Sequence, residues 1–160
     1  MPTGSDKDTV DKVYAEYVAY YKEHCAIKTR PYDDIVESIK KLRSMGYMTA
    51  VVSNKNIAAV EELVNVHFAD CFDEFIGDNG VSKIKPEPDM VNEVLNALGV
   101  RAKEALYVGD SDVDVMTGNN ANMDMLAVSW GFRDVDVLRE AGARAIVDTP
   151  KQMVEYIKNS

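Results

Sequence analysis

Cysteines are scarce in this 160-residue sequence, and basic residues are outnumbered by acidic ones. The two cysteines, Cys25 and Cys71, have neither CxxC spacing nor paired histidines nearby. This usage excludes a disulfide scaffold and predicts reduced, structural thiols in a cytoplasmic protein. The 18 Lys and Arg residues oppose 27 Asp and Glu residues, a formal net charge of −9. Because such a surface repels a phosphate backbone, we expect no nucleic-acid partner, although a local positive site can still bind a small anion.

Long apolar runs are lacking as well. No stretch approaches the roughly 18 uninterrupted apolar residues of a membrane-spanning helix, so we expect no membrane insertion. Residues 1–6 have neither a basic nor an apolar region of the kind that opens a secretory signal. The 46% hydrophobic and 28% charged content is typical of a soluble globular protein and excludes disordered or collagen-like chains. The length predicts one ordinary domain, or one small domain with an appendage.

Helical periodicity alternates with short apolar runs along the chain. The predicted helices cover residues 8–25, 33–45, 56–66, 89–98 and 135–141, with two more beginning near residues 112 and 150. The predicted strands cover residues 47–52, 74–77, 105–108, 125–129 and 145–147. This alternation predicts an α/β fold with a doubly wound parallel sheet of about five strands.

Polar residues follow three of these strands, where an open parallel sheet binds its ligands. The first strand runs into Ser53 and Asn54. A hydroxyl and backbone N–H groups leading into a helix suit a phosphoryl group, but helix capping explains the same residues. Lys85, fixed before a proline, can offer a positive charge at the same edge of the sheet. The alternative interpretation, a solvent-exposed loop lysine, fits the sequence equally well.

An acidic cluster follows the strand at residues 105–108. The carboxylates of Asp110, Asp112 and Asp114 would repel one another without a cation, and a hard divalent ion such as Mg²⁺ relieves that repulsion. We predict that Asp110 binds the metal and that Asp112 caps the helix that follows.

Five segments in series resemble the haloacid-dehalogenase-like (HAD) phosphatases, and in particular their phosphoglycolate phosphatase-like branch. The resemblance covers nearly the whole chain from about residue 8, and the segments that carry it are residues 29–32, 51–55, 85–88, 108–111 and 129–133. It implies a Rossmann-like, HAD-type core in which Ser53, Asn54 and Lys85 bind phosphate. It also implies that Lys85 is catalytic and that Asp110 and Asp114 hold Mg²⁺.

One motif of that family is not matched. The family begins with an apolar strand ending in Asp-x-Asp-Gly-Thr, whose first aspartate is the nucleophile and whose second is the general acid and base. Residues 6–10, Asp-Lys-Asp-Thr-Val, lack the glycine and have no strand before them. We therefore interpret residues 1–30 as a remnant of the family's helical cap domain. Residues 31–160 are then the α/β core without its first strand.

The resemblance implies Mg²⁺-dependent hydrolysis of a small phosphomonoester, such as phosphoglycolate, through an aspartyl-phosphate. Without the nucleophile we expect this chain to be inactive alone. A non-catalytic partner or split-enzyme subunit that keeps the metal and phosphate site is the alternative. A receiver-type signalling domain needs paired acids after its first strand and a phospho-acceptor aspartate after its third. The strand ends at Ser53-Asn54 and Gly77-Asp78 fit that pattern poorly. Since the family's first strand lies centrally, we expect a homodimer or a swapped assembly to cover its place.

Overall fold

The computed structural model describes residues 30–160. The predicted helix at residues 8–25 and the predicted cap remnant, except for residue 30, lie outside the described residues. Within that range the chain alternates helices and strands. In chain order the elements are α1 (Ile35–Ser44), β1 (Ala50–Asn56), α2 (Ile57–His67), β2 (Glu74–Asp78), α3 (Asp89–Leu98), a 3₁₀ turn (Ala102–Glu104), β3 (Leu106–Gly109), α4 (Asp112–Asn120), β4 (Asp124–Val128), α5 (Val135–Glu140), β5 (Ala145–Val147) and α6 (Pro150–Lys158).

Helix α3 illustrates how the sequence produces these elements. Met90, Val91, Val94 and Leu95 repeat at helical spacing, and all four are buried. The helix ends at Gly99, whose φ of 67° is a left-handed conformation that glycine adopts without strain. No helix of residues 30–160 is both long and apolar enough to cross a membrane.

All five strands pair in parallel, but they form two sheets. The first sheet has the order β1-β2, with Val52 opposite Ile76, and the second has the order β3-β4-β5, with Val108 opposite Leu126. The predicted α/β fold with five parallel strands is confirmed. The difference is that β1 and β3 are not joined by a ladder of backbone hydrogen bonds among the described residues.

Shared helices hold the two sheets in one layered unit. Val91 and Leu95 of α3 pack in one cluster with Tyr107 of β3, and Val52 of β1 packs against that cluster. A second cluster joins Leu42 of α1 and Met153 of α6 to the second sheet through Leu126 of β4. The seam between β1 and β3 is therefore flanked by apolar side chains from both sheets.

Strand β1 lies later in the chain than the sequence predicts. It spans Ala50–Asn56 instead of residues 47–52, so Ser53 and Asn54 belong to the strand. The capping alternative for these two residues is therefore wrong. Asn56 caps α2 instead, since its side-chain oxygen accepts a hydrogen bond from the Ala58 N–H at 3.0 Å.

Candidate active site

A cavity of about 240 Å³ lies at the seam between β1 and β3. Its charged lining is Lys85, Asp110 and Asp114. The rest of the lining is mostly apolar and comprises Tyr32, Ile35, Val52, Tyr107, Val108, Gly109, Val128, Trp130 and Met153. A larger cavity of about 760 Å³ lies beside β5 and α6, but none of the predicted site residues lines it.

Lys85 and Asp114 form an ion pair at the centre of this site. The Lys85 Nζ lies 2.7 Å from Asp114 Oδ1, and the two side chains are only 14% and 8% exposed. The Tyr107 hydroxyl donates to the same oxygen at 3.2 Å. The other oxygen, Oδ2, accepts from the Asp110 N–H at 3.0 Å and from the Ser111 hydroxyl at 2.9 Å. Four donors therefore fix the Asp114 carboxylate, which in turn fixes the position of the Lys85 ammonium.

These contacts set the ionisation of the pair. Burial by itself would raise the pKa of Asp114. The charge and hydrogen bond of Lys85, together with hydrogen bonds from the Ser111 hydroxyl and the Asp110 N–H, hold the pKa below its usual value. Burial, together with the negative charge of Asp114, raises the pKa of Tyr107. At neutral pH the site therefore contains an ionised carboxylate and a neutral phenol.

Two asparagines hold the loop that carries Lys85. The Asn54 side chain accepts from the Lys85 N–H at 2.8 Å and donates to the Lys85 carbonyl at 3.1 Å. From α4, the Asn120 side chain donates to the Pro86 carbonyl at 2.9 Å. The loop after β2 is thus tied to both β1 and α4, which brings the lysine to the seam.

The two predicted phosphate-binding residues of β1, Ser53 and Asn54, make different contacts. Ser53 follows Val52, which lines the cavity, and its Oγ accepts from the Lys55 N–H at 3.1 Å. Asn54 uses both ends of its amide on the Lys85 backbone, which is a positioning contact. Phosphate binding by Ser53 and Asn54 stays a prediction.

The two predicted metal ligands, Asp110 and Asp114, differ in how many of their carboxylate oxygens already accept hydrogen bonds. Within residues 30–160, no cluster of three or more His, Cys, Asp or Glu side chains is arranged to hold a metal ion. Both oxygens of Asp114 already accept hydrogen bonds, whereas half-buried Asp110 accepts one at Oδ2 from the Phe132 N–H. Mg²⁺ is commonly held by one or two carboxylates together with water and substrate phosphate. Asp110 fits a site of that kind, and the metal role of Asp114 stays a prediction.

Sequence reasoning did not identify Tyr107 or Asn120 as site residues. The signal for Tyr107 is its hydroxyl, the one polar side-chain group in an apolar strand directly before the acidic cluster. Nothing in the local sequence distinguishes Asn120. The predicted cap was also wrong by one residue. Ser111, not Asp112, caps α4, because its Oγ accepts from the Asp114 N–H at 3.2 Å.

Gly109 allows the acidic turn to close. A Cβ at this position would lie 2.3 Å from the Asp114 Cβ and 2.7 Å from its Oδ2, distances that side chains do not tolerate. The absence of a side chain at the end of β3 therefore lets the first turn of α4 fold back against the strand.

Comparison with known proteins supports the same interpretation. The family of haloacid dehalogenase-like hydrolases matches residues 3–128. A phosphoglycolate phosphatase of Psychrobacter arcticus is 29% identical over 94% of this chain and 66% of its own length. An N-acetylmuramic acid 6-phosphate phosphatase of Pseudomonas aeruginosa is 28% identical over 95% of this chain and 68% of its own.

A solved structure matches the fold closely. It is a candidate phosphoglycolate phosphatase of Lactobacillus delbrueckii subsp. bulgaricus, 41% identical, with a TM-score of 0.87 over 98% of this chain and 66% of the other. The chain thus spans about two thirds of the length of these relatives. Because the family match covers most of the sequence and includes the strand ends that build the cavity, the chain belongs to the haloacid dehalogenase-like hydrolases.

Proposed function

We propose that this chain carries the phosphate- and metal-binding part of a Mg²⁺-dependent phosphatase that acts on a small phosphomonoester. The observation that carries the proposal is the Lys85 ammonium, fixed by Asp114 in the same cavity that Asp110 lines. An ammonium has three donors. One of them is used on Asp114, so the others can bind a phosphoryl oxygen.

Each residue has a separate role in this proposal. Lys85 neutralises charge on the transferred phosphoryl group, and the Ser53 hydroxyl and nearby N–H groups bind its oxygens. Asp110 holds Mg²⁺, which supplies further charge neutralisation when bound. Asp114, Tyr107 and Asn54 keep the lysine in place.

The reaction we propose needs one group from outside residues 30–160. A carboxylate oxygen bonds to phosphorus, the alcohol leaves with a proton, and water then cleaves the aspartyl-phosphate to release inorganic phosphate. We propose that a strand lying between β1 and β3 supplies this carboxylate, since both strands have an edge at the cavity. On this proposal residues 30–160 bind the phosphoryl group but cannot form the covalent bond.

Hydrolysis of p-nitrophenyl phosphate by the purified chain in MgCl₂ tests this function. Turnover that Asp110→Ala abolishes, and that Asp136→Asn at an exposed position of α5 leaves unchanged, would support a complete enzyme and contradict inactivity of the chain alone. No turnover, with inorganic phosphate still bound in a Lys85-dependent way, is the result we expect. Failure of both turnover and phosphate binding would contradict the proposed site.

A second candidate function is a non-catalytic partner or split-enzyme subunit that retains this site. The observation favouring it is that residues 30–160, which superpose on the solved relative, bring Lys85 and Asp110 to one cavity, while the attacking carboxylate of our proposal comes from outside them. Mixing the chain with the N-terminal third of such a relative distinguishes the two. Activity that appears only in the mixture supports a subunit, and activity of the chain alone supports an enzyme.

For the substrate we propose a small phosphorylated metabolite similar to phosphoglycolate, in the cytoplasm. The cavity of about 240 Å³ is suited to a small molecule. The relatives act, by their names, on phosphoglycolate and on N-acetylmuramic acid 6-phosphate. Competition of both compounds with inorganic phosphate for the site ranks them, and we expect phosphoglycolate to bind more tightly.

Where no such strand occupies the seam between β1 and β3, we propose that a homodimer or a swapped assembly covers it. Val108 of β3 lines the seam cavity and is 38% exposed, an unusual position for an apolar strand residue next to charged groups. Sedimentation should show a dimer that Val108→Lys weakens and that Val81→Lys, in an exposed loop, leaves intact. A monomer at all concentrations would contradict this assembly.

A further inference from the structure

The loop at residues 129–133, Ser-Trp-Gly-Phe-Arg, lies beside Asp110 because of the strand order. Strand β4 pairs with β3, with Gly109 opposite Ala127, so the two strands end at the same level. Asp110 is the first residue after β3, and the loop begins one residue after β4 ends at Val128. The proposed function gives roles to Lys85 and Asp110 but none to the residues of this loop.

Two backbone N–H groups of the loop contact Asp110. The Phe132 N–H donates to Asp110 Oδ2 at 2.9 Å, and the Arg133 N–H donates to the Asp110 carbonyl at 3.1 Å. The carboxylate and the main chain of Asp110 are therefore held from the same side. A hydrogen bond to a charged oxygen is stronger than one between neutral groups, so the Phe132 contact restricts the rotation of the carboxylate.

Gly131 brings the loop close enough for these contacts. A Cβ at position 131 would lie 2.1 Å from Asp110 Oδ2 and 2.2 Å from its Cβ. Any side chain there would displace either the loop or the carboxylate. The glycine in this segment is thus explained by close approach to Asp110.

Arg133 anchors the far side of the loop. Its Nε lies 3.1 Å from Asp112 Oδ1 in the first turn of α4, and its guanidinium lies 4.7 Å from the centre of the exposed Phe132 ring. These contacts are at the surface and contribute little to stability.

We infer that the loop at residues 129–133 is a positioning element for Asp110. The Phe132 N–H holds Oδ2, and the missing Cβ of Gly131 makes room for that contact. Within the described part of the chain no donor contacts Oδ1, which this arrangement leaves for a cation. The inference rests on the proposed role of Asp110 as a Mg²⁺ ligand.

Gly131→Ala tests the inference by NMR of the isotope-labelled chain. In metal-free spectra the variant should move the Asp110 carboxyl carbon and the Phe132 amide resonances. On addition of MgCl₂ its dissociation constant should rise about tenfold or more over the parent, the usual effect of losing an outer contact to a metal ligand. Phe132→Ala is the matched control, because it removes the exposed ring and keeps the N–H.

The outcomes separate this inference from the proposed function. A folded Gly131→Ala protein with the parent's Asp110 resonances and Mg²⁺ affinity would overturn the inference, as would an equal loss of affinity in Phe132→Ala. If the parent does not respond to Mg²⁺, the metal role of Asp110 fails, while the metal-free resonances still decide whether the loop positions it. If Gly131→Ala does not fold, Phe132→Pro breaks the same contact, because the proline ring carbon bonded to the nitrogen takes the place of the hydrogen that faces Asp110 Oδ2. It should shift the Asp110 carboxyl carbon as Gly131→Ala does.

Discussion

The Lys85–Asp114 ion pair is the contact on which the site most depends. A buried ammonium or carboxylate alone is costly, because each loses its hydration. Here the pair is 2.7 Å apart, and Asp114 has three further hydrogen bonds. Replacing such a pair with apolar side chains of the same volume lowers the free energy of unfolding little or not at all. Removing only one partner is destabilising, because it leaves a buried charge without a counter-charge.

Lys85→Met should therefore lower the free energy of unfolding by about 3 kcal/mol, since it leaves the Asp114 carboxylate without its cation. Urea unfolding of the parent and the variant measures this. Lys83→Met is the matched control, because Lys83 is an exposed residue of the same loop. Equal stability of the two variants would show that the buried pair does not form.

The depressed pKa of Asp114 predicts how its contribution depends on pH. A carboxyl whose pKa is lower in the folded than in the unfolded protein stabilises the fold above the unfolded value of about 4. That contribution is lost as the pH falls through the folded pKa. The stability difference between the parent and Asp114→Asn should thus be constant from pH 5 to 7 and shrink below about pH 4. A difference that grows on acidification would contradict the ion pair.

At the scale of elements, the sequence predicts best where local signals bound a segment. Residues 89–98 are predicted and observed as a helix, because proline precedes the segment and Gly99 follows it. Strand β1 is predicted too early, since its polar end, including Asn54, does not resemble a buried strand. That end is held extended by hydrogen bonds to the Lys85 backbone, a contact between residues 31 positions apart. No local pattern reveals such a contact.

The N-terminus of α4 provides a third prediction. Ser111→Ala removes the cap, which costs about 1 kcal/mol of stability, and also removes a donor to Asp114 Oδ2. Thr149→Ala removes the cap of α6 in the same way, far from the site. Both variants should lose stability in thermal unfolding, and Ser111→Ala should lose more, because it also removes a hydrogen bond to the buried Asp114 carboxylate. Only Ser111→Ala should also weaken phosphate binding, and an equal effect of Thr149→Ala would contradict the role of Ser111 at Asp114.

For the whole molecule, the fold places the site at the seam between two sheets. The strand-end rule predicts that Lys85 and Asp110 meet, and both line one cavity. The sequence does not predict that Asp114 is used mainly to hold Lys85, because the acidic cluster looks the same whether its members bind a cation or a lysine. It also cannot show that the sheet is divided, since pairing between β1 and β3 is not a local property.

Amide NMR of the chain titrated with inorganic phosphate in MgCl₂ shows whether Lys85 and Asp110 form a phosphate site. We expect saturable shifts at Ser53, Lys85 and Asp110, and their loss in Lys85→Met but not in Lys83→Met. Shifts confined to the larger cavity beside β5 and α6, or equal shifts in both lysine variants, would rule out a phosphate site at the seam.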